Sequence, residues 1–174
     1  MVLGDQLLAA CAQDLALKGA LTDSCRASPM HHLGLNSYRP GHGADIANNV
    51  DYAMSPHIDH AYFTVELQDT PGLQVQDEDG TWLSVPLVPD AVFVSLPDYL
   101  QRATNGVYRR ATHRVGTVRA GRISIQYKHR PDYSTVVAPL APCTSADTPA
   151  RYAPFDTGTR YAALLQSLLN RYNR

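Results

Sequence analysis

Two residue pairs spaced two apart, His57-x-Asp59 and Arg122-x-Ser124, with His113 between them, constrain this chain more than any other feature. Side chains two apart on an extended strand share a face, so His57 and Asp59 can aim an imidazole and a carboxylate at one point. If His113 arrives on a neighbouring strand, two imidazoles and one carboxylate lie on one side of a metal ion, with coordination positions left open. Arg122 and Ser124 likewise present a guanidinium and a hydroxyl together, and arginine grips a carboxylate through two parallel hydrogen bonds. Each piece alone is commonplace. The weight lies in order and spacing: His113 falls 54 positions after Asp59, and Arg122 nine after His113.

The segments around these residues read as short strands punctuated by glycine and proline. Met30 to Tyr38 is extended; His31 and His32, being adjacent, face opposite ways and cannot share a site. Arg39 to Val50 reads as a loop, with Gly41, Gly43 and the pair Asn48-Asn49. Tyr62 to Leu67 is a strand. Leu73 to Gln76 and Trp82 to Val85 form a hairpin across Asp77-Glu78-Asp79-Gly80, since Asp-Gly between apolar runs marks a turn. That acidic cluster lacks the later ligands of a calcium loop, so it reads as a solvated turn. Ala91 to Leu96 is nearly continuous apolar sequence, expected to be buried on both faces. Leu100 to Thr104 is a helical turn, Asn105-Gly106 a turn, Val107 to Val118 carries His113, and Gly121 to Lys128 is the strand of Arg122 and Ser124. The chain is then proline-rich and irregular from Pro131 through Ala153.

Helices flank this core. Asp5 to Lys18 carries an apolar stripe of Leu7, Leu8, Cys11 and Leu15, with Gly19 as its expected stop. Thr159 to Arg171 sets Tyr161, Leu164, Leu165, Leu168 and Leu169 on one side. Many short strands with a helix at each end indicate a β-sandwich or jelly roll. At 174 residues the chain is one domain, large enough to bury a core. Its 15 basic and 16 acidic residues give no bulk attraction to nucleic acid or membrane. Cys11, Cys25 and Cys143 are odd in number and far apart, which fits a reducing compartment. No secretory leader and no long apolar run are read in the chain, so a cytoplasmic protein is expected.

Further matches extend this pattern. Leu35-Asn36-Ser37-Tyr38-Arg39-Pro40, Pro71-Gly72-Leu73-Gln74-Val75 with Asp79-Gly80-Thr81-Trp82, Thr104-Asn105-Gly106-Val107-Tyr108, Thr112-His113-Arg114-Val115 and Thr148-Pro149-Ala150-Arg151-Tyr152 join the HxD and RxS motifs. Together they resemble the C-terminal catalytic half of the 2-oxoglutarate/Fe(II)-dependent dioxygenases, in the isopenicillin N synthase-like branch. The resemblance covers most of the chain from the first helix onward. It implies a mainly β fold, a double-stranded β-helix or jelly roll flanked by N- and C-terminal α-helices. It also implies one catalytic domain over 1–174, with a helix and linker (1–29), a core (30–130) and a C-terminal extension and helix (131–174). The chain departs from the family at Pro97-Asp98, where glycine-aspartate is usual; a stiffer turn is expected, without loss of ligation.

On that resemblance, His57, Asp59 and His113 would hold Fe(II), and Arg122, Ser124, Tyr38 and Asn36 would bind 2-oxoglutarate. With O2 as second co-substrate, a C–H bond of a small organic substrate would be oxidised and succinate and CO2 released; no catalytic residue beyond the metal centre is expected. Strand alternation carries the inner face on to Gln126, Lys128 and Arg130. Plant relatives usually place a pocket aromatic where Lys128 stands, so a cation there suggests an anionic substrate; the other reading leaves its ammonium in water. His60 and Tyr62 are further pocket candidates. Relatives also have a sizeable N-terminal region before the first helix, absent here, so an uncovered edge or apolar face would favour self-association or a covering partner. Three other readings share the pattern: an oxidase of the isopenicillin N synthase type working without 2-oxoglutarate, a non-catalytic β-sandwich binding module, and a cupin-type zinc or manganese enzyme, in which Arg122-x-Ser124 has no role.

Overall fold

The computed structural model describes residues 2–17, 19–41, 44–45 and 50–172. The N-terminal helices are α1 (Val2–Asp14) and α2 (Ala20–Asp23). Strands β1 (His32–Tyr38), β2 (Ala44–Asp45), β3 (Val50–His57), β4 (Phe63–Gln68), β5 (Leu73–Gln76), β6 (Trp82–Ser84) and β7 (Phe93–Ser95) come next. Helix α3 (Asp98–Ala103), strands β8 (His113–Gly116), β9 (Arg122–His129), β10 (Val136–Val137) and β11 (Phe155–Asp156), and helix α4 (Thr157–Tyr172) complete the chain. Among the described residues the strands form a four-stranded sheet, β1-β9-β4-β7, a five-stranded sheet, β2-β3-β8-β5-β6, and the pair β10-β11. All their pairings are antiparallel, as a jelly roll requires.

The two larger sheets meet where Tyr38 of β1 packs with Val115 of β8 and with Ala53 and Met54 of β3. A second apolar core lies at the edge of the sandwich: Leu8 and Ala12 of α1 and Leu21 of α2 pack on Tyr62, Phe63, Tyr99, Leu100 and Ala103. Gly4 lets α1 come this close, because a Cβ there would stand 2.3 Å from Nδ1 of the buried His129. His129 is also held by the Tyr127 hydroxyl at 3.0 Å and stacks on His31 at 4.4 Å. Burial, and then the neighbouring His31, push its pKa down to about 4, so it is neutral at neutral pH.

Helix α1 ends earlier than Gly19. Ala16 adopts a left-handed φ of 53°, and the Leu17 N–H reaches back to the Ala12 carbonyl at 2.8 Å, closing the helix in a Schellman turn. Gly19, at φ 84°, instead opens α2. The predicted loop from Arg39 contains β2 and ends where β3 begins; Gly43, Asn48 and Asn49 lie outside the described residues. The Ala91 to Leu96 run yields only the three residues of β7, an edge strand with one partner, so Val92 is exposed and Phe93 and Val94 only half-buried. Helix α4 is capped by the Asp156 carboxylate, which accepts the Thr159 N–H at 2.7 Å. Its expected apolar stripe stays largely outside the core: Tyr161 and Leu164 are half-buried, while Leu165 and Leu169 are exposed.

The four-stranded sheet reverses the usual burial rule. On its inner face Thr64 and Glu66 of β4 and Arg122, Ser124 and Gln126 of β9 are all buried. On its outer face Leu33, Leu35, Leu67, Ile123 and Ile125 are exposed, Leu35 to 71%. Polar side chains gather inside only where they satisfy one another or a ligand.

Candidate metal centre

Strand pairing brings the histidines together. His57, the last residue of β3, lies directly opposite His113, the first of β8, and their ring centroids are 4.2 Å apart. The register shifts between Met54 and His57, placing an extra residue in β3 in the segment that contains Pro56. Such a bulge re-aims the side chain that follows it, and proline is at home there because it donates no ladder hydrogen bond. Asp59 lies just beyond the strand, and its backbone carbonyl is fixed by the Asp98 N–H at 3.1 Å. Asp98 is itself buried among Arg102, Arg110 and Arg160, at 2.7, 2.7 and 2.9 Å. Asp98, the first residue of α3, therefore ties α3 and α4 to the backbone of the candidate ligand.

His57, Asp59 and His113 each offer a ligand atom, all within 4.8 Å of one another. Nε2 of each histidine stands 3.8 Å from an Asp59 carboxylate oxygen. Their Nδ1 atoms are engaged elsewhere, His57 on the Ser55 carbonyl at 2.8 Å and His113 on the Ala111 carbonyl at 3.3 Å. A carbonyl only accepts, so both Nδ1 atoms carry the proton and both Nε2 lone pairs face the site. Burial and then the His113 ring lower the His57 pKa, which favours the neutral, ligating form. For Asp59, burial alone would raise the pKa; the Lys128 ammonium, His113 and the Thr64 hydroxyl hold it down to about 2. The donor set is thus two imidazoles and an ionised carboxylate, which suits Fe(II).

Deeper along β9, Arg122 is fully buried. Its Nε donates to the Thr70 carbonyl at 3.2 Å, and Nη2 donates to Glu66 at 2.7 Å and Gln68 at 3.1 Å. The Tyr38 ring lies 5.3 Å beneath the guanidinium. Gly72 makes room for the stem, since a Cβ there would come within 3.2 Å of Arg122 Cδ. Nη1 of Arg122 and Oγ of Ser124 are buried without a hydrogen-bond partner. Buried unpaired donors are costly and call for an explanation; two of them, two residues apart on the inner face, have the chemistry of a carboxylate pocket. Asn36 faces Ser124 across the β1–β9 ladder and is half-buried.

The pocket candidates fare differently. Lys128 does face the centre, and its half-buried ammonium donates to Asp59 Oδ1 at 2.7 Å. Tyr62 lies in the helix-packed core, its hydroxyl 3.1 Å from the Ser24 hydroxyl. His60 is turned toward α3, parallel to the Tyr99 ring. Three contributors escaped the sequence reading. Thr64, whose hydroxyl donates to Asp59 Oδ2 at 2.6 Å, and Glu66 come from a segment read only as a strand, and Gln68 from just past its expected end. Their two-residue spacing was the available signal.

Comparisons with known proteins agree with this geometry. The profile of the 2OG-Fe(II) oxygenase superfamily matches residues 29–131. The 2-oxoglutarate-dependent dioxygenase 21 of Oryza sativa subsp. japonica is 34% identical over 126 residues, 71% of this chain and 37% of the relative. Thebaine 6-O-demethylase of Papaver somniferum is 32% identical over 126 residues, 71% of this chain and 34% of the relative. This chain therefore spans about a third of the length of these relatives. The solved structure of the dioxygenase for auxin oxidation in rice superposes with a TM-score of 0.77 at 22% identity, covering 95% of this chain and 56% of that one. JOX2, solved with 2OG, Fe and JA, gives 0.80 at 24%, covering 92% and 47%. At these identities the likeness establishes the jelly-roll fold.

Lys128 and a divalent cation compete for Asp59, and Thr64 still orients that carboxylate when the ammonium is gone. Lys128→Met is therefore expected to tighten Fe(II) binding by at least about tenfold in anaerobic calorimetric titration, because a like charge is removed from beside the cation. Weaker binding in the variant would show that the ammonium chiefly orients Asp59.

Proposed function

This chain belongs to the 2OG-Fe(II) oxygenase superfamily, and from that premise we propose that it is an Fe(II)- and 2-oxoglutarate-dependent oxygenase oxidising a C–H bond of a small organic substrate. The observation that carries the reading is the pairing of two features from the two sheets: a converging His57–Asp59–His113 set at the β3–β8 pair, reached from β9 by Lys128, and two buried unpaired donors on Arg122 and Ser124 of β9. His57, Asp59 and His113 would hold the iron on one side, leaving the opposite positions for co-substrate and oxygen. The bound iron supplies oxygen activation coupled to oxidative decarboxylation of the keto acid, giving succinate and CO2.

The chain's own residues do the rest. Asp59 stays ionised at neutral pH, and the protonated Nδ1 atoms keep both imidazoles pointed inward. Arg122 Nη1 and Ser124 Oγ would receive the distal carboxylate, with Tyr38 beneath the guanidinium and Asn36 beside the serine. The buried position of these groups excludes water, which strengthens each charged hydrogen bond. The catalytic unit is the core of residues 30–130, braced by the helices of 1–29 and 131–174. The three unpaired cysteines support a reducing, cytoplasmic setting, and no helix among the described residues is long and apolar enough to cross a membrane.

Anaerobic addition of Fe(II) and 2-oxoglutarate should give a visible charge-transfer band that needs both components and is lost in His57→Ala and in Arg122→Leu. Iron binding without the band would favour the isopenicillin N synthase type of oxidase; failure to bind iron would overturn the reading.

The exposed outer face of Leu33, Leu35, Leu67, Ile123 and Ile125 supports self-association through that sheet. Light scattering at micromolar concentration should find a dimer or larger species that Leu35→Lys with Ile125→Lys returns to monomer. A monomeric unmodified chain would rule this out.

A further inference from the structure

We propose that Glu66 sets the co-substrate preference of this site, acting as an internal counter-charge to Arg122; this rests on the oxygenase reading above. Glu66 is buried on β4 at the register position opposite Gln126 of β9. One of its carboxylate oxygens accepts from Arg122 Nη2 at 2.7 Å, and the other accepts from Gln126 Nε2 at 2.8 Å. Both oxygens are thus committed to the protein, and the carboxylate is locked in place rather than poised to leave.

The charge count follows. A lone buried arginine presents a full positive charge to an incoming carboxylate, and losing that partner leaves the cation uncompensated. Here Glu66 neutralises the guanidinium before any ligand arrives. The donors left over, Arg122 Nη1 and Ser124 Oγ, still offer hydrogen bonds. A distal carboxylate that takes them, however, enters beside a second carboxylate sharing the same guanidinium. Like charges this close in a water-poor site oppose each other strongly. The pocket therefore keeps its hydrogen-bond geometry but gives up most of its net charge selectivity. The consequence is a comparatively weak grip on 2-oxoglutarate and an unusual tolerance of 2-oxo acids whose distal end is neutral.

Glu66→Gln tests this, because it keeps an oxygen for Arg122 while removing the charge; Glu66→Ala is the second variant. Dissociation constants for 2-oxoglutarate and for 2-oxopentanoate, which lacks the distal carboxylate, would be measured calorimetrically on the Fe(II)-loaded protein without oxygen. The expected result is 2-oxoglutarate binding at least about tenfold tighter in a folded variant, with 2-oxopentanoate little changed. Equal or weaker 2-oxoglutarate binding overturns the proposal. So does failure of both variants to fold, which would make Glu66 purely a structural partner of Arg122. If neither the unmodified chain nor a folded variant binds 2-oxoglutarate, the oxygenase reading itself falls.

Discussion

The buried ion pair between Arg122 and Glu66 is the interaction on which the rest of the sheet interior depends. Placing two charges at side-chain exposures of 0% and 3% has a large desolvation cost. That cost is offset only if each group is surrounded by partners, and the neighbours supply them. Gln68 and the Thr70 carbonyl share the guanidinium, Gln126 takes the second Glu66 oxygen, and Tyr38 closes the face. Removing one member of such a pair commonly costs about 3–5 kcal/mol because the other charge is stranded. The network therefore ties the register of β9 to β4, with Tyr38 of β1 over the guanidinium.

The same commitment explains the reversed amphipathicity of the sheet. Side chains alternate across a strand, so filling the inner face with Thr64, Glu66, Ser124 and Gln126 forces Val65, Leu67, Ile123 and Ile125 outward. A one-residue slip would bury the aliphatics but would turn Arg122 and Ser124 out of the carboxylate pocket. The chain keeps its apolar core elsewhere, under α1 and α2, where Gly4 and Ala12 permit close packing. The larger apolar core and the candidate site thus occupy separate parts of one sandwich, with the backbone contact from Asp98 to Asp59 between them.

The sequence was most legible where chemistry and strand period coincide. Arg122 and Ser124 could be placed because two-residue spacing on β9 dictates a shared face, and the Asp77–Gly80 hairpin because its turn chemistry is local; His57 and His113 meet through the β3–β8 pairing. In that turn Asp77 accepts the N–H groups of Asp79 and Thr81. Less could be read where the outcome depended on a partner distant in sequence. The inward aim of Lys128 follows from alternation, but its capture by Asp59 depends on β4 lying opposite, with Thr64 beside it. Tyr62 and His60 sit close to Asp59 in sequence, yet the chain bends after the ligand, taking Tyr62 into the helix-packed core and His60 to the Tyr99 ring. Ala91 to Leu96 looked doubly buried because composition does not reveal that a strand lies at an edge.

The sandwich is held here to bind a metal beside the β3–β8 pair and a carboxylate on the inner face of β9. A crystal structure of the protein with Mn(II) and 2-oxoglutarate tests it most directly. The cation is expected among His57 Nε2, Asp59 and His113 Nε2, and the distal carboxylate on Arg122 Nη1 and Ser124 Oγ, with Glu66 still on Nη2. A cation bound away from this set, or a keto acid whose distal carboxylate does not reach Arg122, would contradict it.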